Sequence, residues 1–384
     1  MGNHGSKSIT ANKNNRSVIV KEQRVDSSQG MNIKKMSLRS TLMDFERNCQ
    51  VKILSNQILQ IRQLCCSAVS DQPITDYKST PLKPLFITGL IDAEGSFTVS
   101  VLKSSSTHVG WYVGGRFKIT THIKDLPLLN NLKTCFGGVG KIVNHKNTST
   151  FRVDSLKEIL DVIIPHFDKY LPTTQKLGDY LIFKNILGMM KNKEHLTLQG
   201  LEKIVSIKAS LNLGLSVAAR IKVAFPKIKP ILRPLALNQE IPHPDWVAGF
   251  TSGDGSFYLT IRKSDKFKVG HRIEIGFRIT QHSRDAELMQ KFVSDFKCGK
   301  VRKDSRYSVL YYTVSNLTDN LEKIVPFFQE HRILGVKSLD FEDWCKAAED
   351  LFLRTKGHLS VEGLDQLREI QGKMNSSSLS LNEG

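Results

Sequence analysis

Glu94 and Asp254 occupy matching places in the chain. Each closes an apolar run of helical spacing, and each directly precedes a glycine. A carboxylate at the C-terminal end of a helix is disfavoured by the helix dipole, so finding one there twice points to a role. Two such carboxylates, brought together across a pseudo-twofold axis, would form a paired divalent-metal site. Their hard oxygens favour Mg²⁺. A metal that clamps the attacking and leaving oxygens is a common solution for phosphodiester hydrolysis. The axis requires the two helices to approach closely, and each offers small residues for that: Thr88 and Gly89 in the first, Ala248 and Gly249 in the second. A glycine inside a helix costs ~1 kcal/mol, which close packing offsets.

The two helices belong to two copies of one unit. Phe86–Ser100 lies over Trp246–Thr260, FITGLIDAEGSFTVS against WVAGFTSGDGSFYLT, at an offset of 160. Phe117–Asp125 then lies over Phe277–Asp285, Gly140-Lys141 over Gly299-Lys300, Pro165 over Pro326, and Lys176 over Lys337. Residues 195–201 lie over 358–364, and the offset stays between 159 and 163 throughout. Such a repeat predicts two domains of one fold. They span 81–221 and 245–376 and are joined by a proline-rich linker, 222–244. A polar extension, 1–80, precedes them and a tail, 377–384, follows. Residues 1–40 lack periodicity and read as poorly ordered. A short peripheral helix is expected within 41–66, and 71–84 reads as a linker.

Each copy mixes helix and strand. Leu85–Ala93 is helical in spacing and stops at Gly95, a natural helix terminator. Phe97, Val99 and Val101 alternate with Thr98 and Ser100, as Phe257, Leu259 and Ile261 alternate with Tyr258, Thr260 and Arg262. That period marks strands with one buried face. The next strand turns Phe117 and Ile119 inward and Arg116, Lys118 and Thr120 outward. Its counterpart turns Ile273, Ile275, Phe277 and Ile279 inward and Arg278 and Thr280 outward. Shorter strands are expected near 139–143, 150–153, 299–303 and 309–314. Helices are expected over Leu126–Phe136, Leu156–Phe167, Leu177–Met190 and their counterparts. The fold class is therefore α+β: two pseudo-symmetric αββαββα units, each with helices on one face of a sheet and a polar, basic face left open.

Composition narrows the partner. Lys and Arg number 55 against 37 Asp and Glu, a formal charge of +18, which points to nucleic acid. No run approaches the ~20 apolar residues that cross a bilayer, and no secretory signal is expected. The six cysteines form no CxxC pair and read as free thiols in a reducing compartment. Gly137-Gly-Val-Gly140 lacks the lysine-serine ending of a phosphate loop. His195 and His358 read as helix-start or packing residues, and Ser210–Ser216 as a turn closing the first copy.

Ile87-Thr-Gly-Leu-Ile-Asp-Ala-Glu-Gly95 and Val247-Ala-Gly-Phe-Thr-Ser-Gly-Asp-Gly255 resemble the two nine-residue motifs of the LAGLIDADG homing endonucleases in their single-chain, two-motif form. The resemblance covers about 85–376. The leader is similar, more distantly, to the polar extensions of intron-encoded members. The resemblance implies a monomer whose two antiparallel sheets form a saddle on double-stranded DNA. It implies cutting of both strands at a long asymmetric site, across the minor groove, with 3′ overhangs. It makes Glu94 and Asp254 the metal-binding acids, with Mg²⁺ at the scissile phosphates and Mn²⁺ or Ca²⁺ as substitutes. It makes Lys176 and Lys337 basic helpers, 82 and 83 residues after their acids, and Gln281 the polar residue that orients water. A lysine ammonium there stabilises phosphoryl charge or polarises the water. Gly89 and Gly249 become the helix interface, and fungal mitochondria the place of intron-borne members.

By strand parity the DNA-facing set is Thr98, Ser100, Arg116, Lys118, Lys141 and Arg152 in the first copy. In the second it is Tyr258, Thr260, Arg262, Arg278, Lys300, Arg302 and Thr313. Such Arg and Lys side chains read guanine edges or contact phosphates. Three asymmetries stand out: Thr121 against Gln281, Asp92 against Ser252, and Glu94 against the shorter Asp254. They imply unequal cutting of the two strands. Asp92 and Ser252 read as helix-end hydrogen-bonding residues, not ligands. The alternatives are an intron-RNA maturase on the same fold and a DNA-binding protein that has lost cleavage. Both acids, both lysines and Gln281 are retained, which favours the enzyme.

Overall fold

A computed structural model describes residues 81–211, 219–226, 228–354 and 360–376. The expectations for 1–40, for 41–66, for most of 71–84, for the turn beyond Leu211, for His358 and for 377–384 lie outside the described residues. In the first copy, α1 (Pro84–Glu94) leads into β1 (Gly95–Lys103) and β2 (Trp111–His122). Then come α2 (Leu126–Cys135), β3 (Lys141–Asn144) and β4 (Thr148–Val153). A helical stretch, α3, joins Leu156–Glu158, a π-helical Ile159–Ile163 and Ile164–Lys169. Helices α4 (Lys176–Lys191), α5 (Leu198–Lys208) and α6 (Ala219–Ala224) follow.

The second copy repeats the order. It holds α7 (Pro244–Asp254), β5 (Gly255–Lys263), β6 (His271–His282), α8 (Ala286–Phe296), β7 (Lys300–Lys303) and β8 (Val309–Val314). Then come α9 (Leu317–Asp319, π-helical Asn320–Ile324 and Val325–Glu330), α10 (Lys337–Arg354) and α11 (Val361–Ser376). The π-helical turns share a cause. Pro165 and Pro326 follow them one residue later and have no N–H to donate, so the preceding turn widens. Helix α6 runs past position 221, so the extended connector begins only after Ala224.

Each copy builds one four-stranded antiparallel sheet, ordered β1-β2-β4-β3 and β5-β6-β8-β7. The inward residues of each sheet meet the helices through equivalent aromatic clusters. Phe97 packs on Phe117, Phe167, Tyr180 and Phe183. Phe257 packs on Phe277, Phe328, Phe341 and Trp344. The two cores touch through α1 and α7: Ala248 joins the first core, while Leu85 and Ala93 pack against the second.

Gly95 and Gly255 end their helices for a different reason than expected. Their φ values are −77° and −78°, ordinary extended backbone rather than a left-handed cap. The chain passes from helix to strand without a loop, and a Cβ on Gly95 would lie 2.4 Å from Ile91 Cγ2. Lack of room, not backbone freedom, requires glycine there.

Candidate active site

Helices α1 and α7 cross so closely that no side chain fits between their backbones. A Cβ on Gly89 would lie 2.1 Å from Trp246 O, and one on Gly249 would lie 2.0 Å from Phe86 O. The contact continues to the C-terminal ends, where a Cβ on Gly253 would meet Ala93 Cβ at 2.3 Å and Glu94 Cγ at 3.1 Å. Glu94 and Asp254, the last residues of the two helices, therefore emerge beside one another.

Their electrostatics follow from that placement. Burial raises the pKa of both carboxyls. For Asp254, repulsion from Glu94 adds to burial, and the group is pushed up to about 7. Glu94 keeps a solvent-facing surface, and Lys337 and Lys176 oppose its upward shift.

The two lysines sit at the starts of α4 and α10 and reach back under the acids. Lys176 Nζ donates to the carbonyls of Ile91, Ala93 and Gly95 at 2.9, 3.2 and 2.6 Å. Lys337 Nζ donates to Thr251 O at 3.2 Å and to Gly253 O. Each ammonium thus gathers carbonyls at the point where a helix passes into a strand; Ile91 O and Thr251 O also accept from the N–H groups of Gly95 and Gly255. Burial lowers both lysine pKa values, against the pull of Asp92, Asp254 and Glu94 on Lys176 and of Asp254, Glu94 and Asp125 on Lys337.

Gln281 Nε2 donates to Asp254 Oδ2 at 2.7 Å, and its Oε1 accepts from His282 N at 3.0 Å. Thr121, its counterpart, donates to His122 O at 3.4 Å instead. A cleft of about 310 Å³ opens here, lined by Lys176, Asp254, Thr280, Gln281, His282 and Arg284 among others. Asp92 lies below, buried, accepting from Thr173 N, Thr174 N and Oγ1, and Trp246 Nε1. Burial raises its pKa and these donors oppose the rise. Ser252 takes the same structural part, donating to Ala248 O and accepting from Leu334 N.

The donor set fits a divalent cation. Two hard carboxylates converge, and neither is fully neutralised by a neighbour of its own. Among the described residues no group of three or more His, Cys, Asp or Glu is placed to hold a metal ion. A cation on this pair would complete its coordination with water and substrate oxygens, as Mg²⁺ commonly does.

The open sheet faces carry the residues chosen by parity, and the register makes them direct neighbours. Thr98 lies opposite Arg116, and Arg152 lies between Lys118 and Lys141. Ser100 follows on the same face, opposite Gly114. In the second sheet Thr313 lies between Arg278 and Lys300, Arg302 lies opposite Tyr311, Thr260 opposite Glu274, and Arg262 opposite Arg272. Two features escaped the sequence. Asp154 draws Arg116, Arg152 and Lys141 together, Arg152 at 3.3 Å and Lys141 at 3.9 Å; Ser315 follows β8 where Asp154 follows β4. Arg278 is held between two rings, its guanidinium 5.0 Å from the Tyr258 centroid and 5.4 Å from that of Tyr311. Tyr258 lies flat because its partner across the strands is Gly276, where a Cβ would lie 2.5 Å from the phenol oxygen. The parity rule could have found Tyr311; nothing short of a contact could have found Asp154.

Known proteins are similar to this chain in sequence and fold. Residues 87–187 and 247–348 match the family model described as LAGLIDADG endonuclease. A protein named probable intron-encoded endonuclease 3 of Neurospora crassa is 36% identical over 382 residues, covering 97% of this chain and 70% of its own length. A crystal structure of the I-SmaMI LAGLIDADG homing endonuclease bound to cleaved DNA matches with a TM-score of 0.74 and 47% identity, covering 78% of this chain and 98% of that one. I-SmaMI bound to an uncleaved DNA target in the presence of calcium ions matches with a TM-score of 0.73 and 48% identity, covering 77% and 99%.

Proposed function

The chain belongs to the LAGLIDADG endonuclease family, and from that premise we propose that it is a site-specific DNA endonuclease whose centre is the Glu94–Asp254 pair. The observation that carries this is the pair itself. Two carboxylates are forced together at the ends of crossing helices, and burial with their mutual repulsion lifts Asp254 to about 7. Crowding two buried carboxylates costs stability by itself, and a cation bound between them would offset that cost. Both acids come from one chain, so a monomer completes the site. Mg²⁺ is the ion we assign. Bound there with substrate phosphates, it would neutralise charge on the reacting oxygens.

The chain's own groups do the rest. Lys176 and Lys337 keep the ends of α1 and α7 closed and set positive charge beside the reacting phosphates. Gln281 holds Asp254 Oδ2 and thereby fixes one face of that carboxylate. The outward rows from Thr98 to Arg152 and from Tyr258 to Thr313 contact the duplex, with guanidinium groups suited to guanine edges. A maturase reading gains no comparable support, because RNA binding alone needs neither the acid pair nor the lysines beneath it. The intron-encoded relative in a fungus supports an intron-borne gene, and we place the protein in the mitochondrion.

The test is cleavage of a plasmid carrying the uninterrupted host-gene sequence, with Mg²⁺ and with EDTA, beside Glu94→Gln. Double-strand cutting that needs the metal and is lost in the variant is expected. Cutting by Glu94→Gln at the wild-type rate would remove Glu94 from the site. Absence of cutting with tight binding of intron RNA would restore the maturase.

A further inference from the structure

The helices that carry the two lysines begin on supports from both repeats: within the first copy Thr174 Oγ1 accepts from Lys176 N at 3.2 Å, and each helix start also meets an aspartate of the other copy. Asp285 belongs to the second copy, in the short turn after β6. Its Oδ1 accepts from Gln175 N at 2.7 Å, and Gln175 directly precedes Lys176 in the first copy. Asp125 is its counterpart in the first copy. Its Oδ1 accepts from Val336 N at 2.7 Å, and Val336 directly precedes Lys337 in the second copy. The arrangement is reciprocal across the pseudo-twofold axis, and neither aspartate has a place in the motifs that identify the family.

Both contacts are built into the packing. Asp285 is 1% exposed and also accepts from Gln239 Nε2 at 2.8 Å, while Arg284 Nε lies 3.6 Å from its other oxygen. Gln239 in turn donates to Thr173 O, tying the connector to the turn that leads into α4. On the other side Gly335, at φ +81°, leaves the space in which Asp125 sits; a Cβ there would lie 2.5 Å from Asp125 Oδ1. An anionic acceptor at a helix N-terminus is favoured by the helix dipole. From each helix start the lysine reaches directly to the carbonyls at the end of α1 or α7, one residue from the acid.

We propose that Asp285 and Asp125 are crossed positioning residues, each fixing the active-site lysine of the opposite repeat and through it the acid that lysine underlies. The chain of contacts is Asp285 to Gln175, Lys176 and the end of α1 that bears Glu94. Its mirror is Asp125 to Val336, Lys337 and the end of α7 that bears Asp254. The two half-sites are therefore coupled: a lesion in one repeat disturbs the chemistry of the other. This deepens the endonuclease reading and rests on it.

Strand-specific cutting tests the crossing. Lys176→Met and Lys337→Met first define which strand each lysine serves, on an end-labelled duplex carrying the uninterrupted host-gene sequence. Asp285→Ala is then expected to slow the strand that Lys176→Met slows, by about tenfold to a hundredfold for a displaced catalytic group. Asp125→Ala is expected to slow the strand that Lys337→Met slows. Asp285→Asn and Asp125→Asn keep an acceptor oxygen and should restore most of the rate. The opposite strand pattern, or equal slowing of both strands, overturns the proposal. A readout without DNA separates this from the endonuclease reading itself. Amide exchange by mass spectrometry should rise around 174–178 in Asp285→Ala and around 335–339 in Asp125→Ala. Exchange rising only within the mutated repeat overturns the crossing even if the wild-type protein cuts nothing. If Asp285→Ala does not fold, the less buried Asp125 carries the test alone.

Discussion

Asp254 binds its proton more tightly in the folded chain, at about 7, than at its ordinary value of 3.8. A carboxyl raised in this way contributes stability that is fully present below about 3.8 and is lost as pH rises through about 7. A divalent ion has to displace that proton, so it gains affinity over the same interval. The thermal shift produced by saturating Mg²⁺ should therefore be larger at pH 8 than at pH 6, by roughly a few °C. Asp254→Asn should raise the metal-free midpoint at pH 8 and erase most of the metal shift; equal shifts at both pH values would count against the paired-acid site. Arg278 makes a second prediction. Its plane is fixed by Tyr258 and Tyr311 before any ligand arrives, so little side-chain freedom is lost on binding. Arg278→Lys keeps the charge and loses the fork. Discrimination at one base pair should fall by about 1–3 kcal/mol, with the salt slope of binding unchanged. A smaller salt slope without loss of base preference would make Arg278 a phosphate contact. At this scale the acids and lysines were legible because type, order and offset recur together. Asp154, Asp285 and Asp125 were not, because an acid beside a turn looks solvated until its partner, up to 211 residues away, is in place.

The crossing of α1 and α7 is the element on which the site depends. Phe86 O and Trp246 O stand where any Cβ on Gly249 or Gly89 would be. Gly249→Ala gains about 1 kcal/mol of helix propensity but must push two backbones apart. Forced overpacking typically costs about 1–3 kcal/mol and occasionally more, and here the obstacle is backbone that cannot rotate away. A net loss in urea unfolding is expected, together with loss of cutting as the acids separate. Gly188, inside α4, is the control: nothing lies within 4 Å of its would-be Cβ. Gly188→Ala should stabilise by up to about 1 kcal/mol; similar effects at the two sites would show that the crossing is slack. Most elements could be read from the sequence because their periods differ, two along Phe97–Val101 and helical along Leu85–Ala93. The π-helical turns could not be: Ile159–Ile163 and Asn320–Ile324 look like ordinary helix, and only the proline after each betrays them. Gly95 was placed correctly and explained wrongly, since a helix joined directly to a strand excludes a Cβ that sequence alone cannot see.

Across the whole molecule the two copies match in backbone and core but not in chemistry. The aromatic cluster around Phe97 is repeated around Phe257, ring for ring in position. The polar faces diverge. The first sheet gathers three cations on Asp154, and the second leaves Arg278 between two tyrosines. The centre diverges too: Gln281 holds Asp254, while Thr121 turns to its own backbone. Lys176 makes three carbonyl contacts and Lys337 two. Folding constrains only the shared part, because buried aromatic packing tolerates little change, whereas each polar residue answers to whatever faces it. An asymmetric target is the expected consequence for recognition, and unequal strand cutting is the expected consequence for catalysis. Supercoiled substrate resolves this, since a nicked circle accumulates only when one strand is cut well before the other. A nicked intermediate with one preferred strand is expected for the wild-type protein. Gln281→Thr makes the centre more nearly symmetric, so it should slow one strand selectively and change how much nicked circle accumulates. Equal first-cut rates for both strands in the wild-type protein would mean that these asymmetries serve binding alone and leave the chemistry balanced.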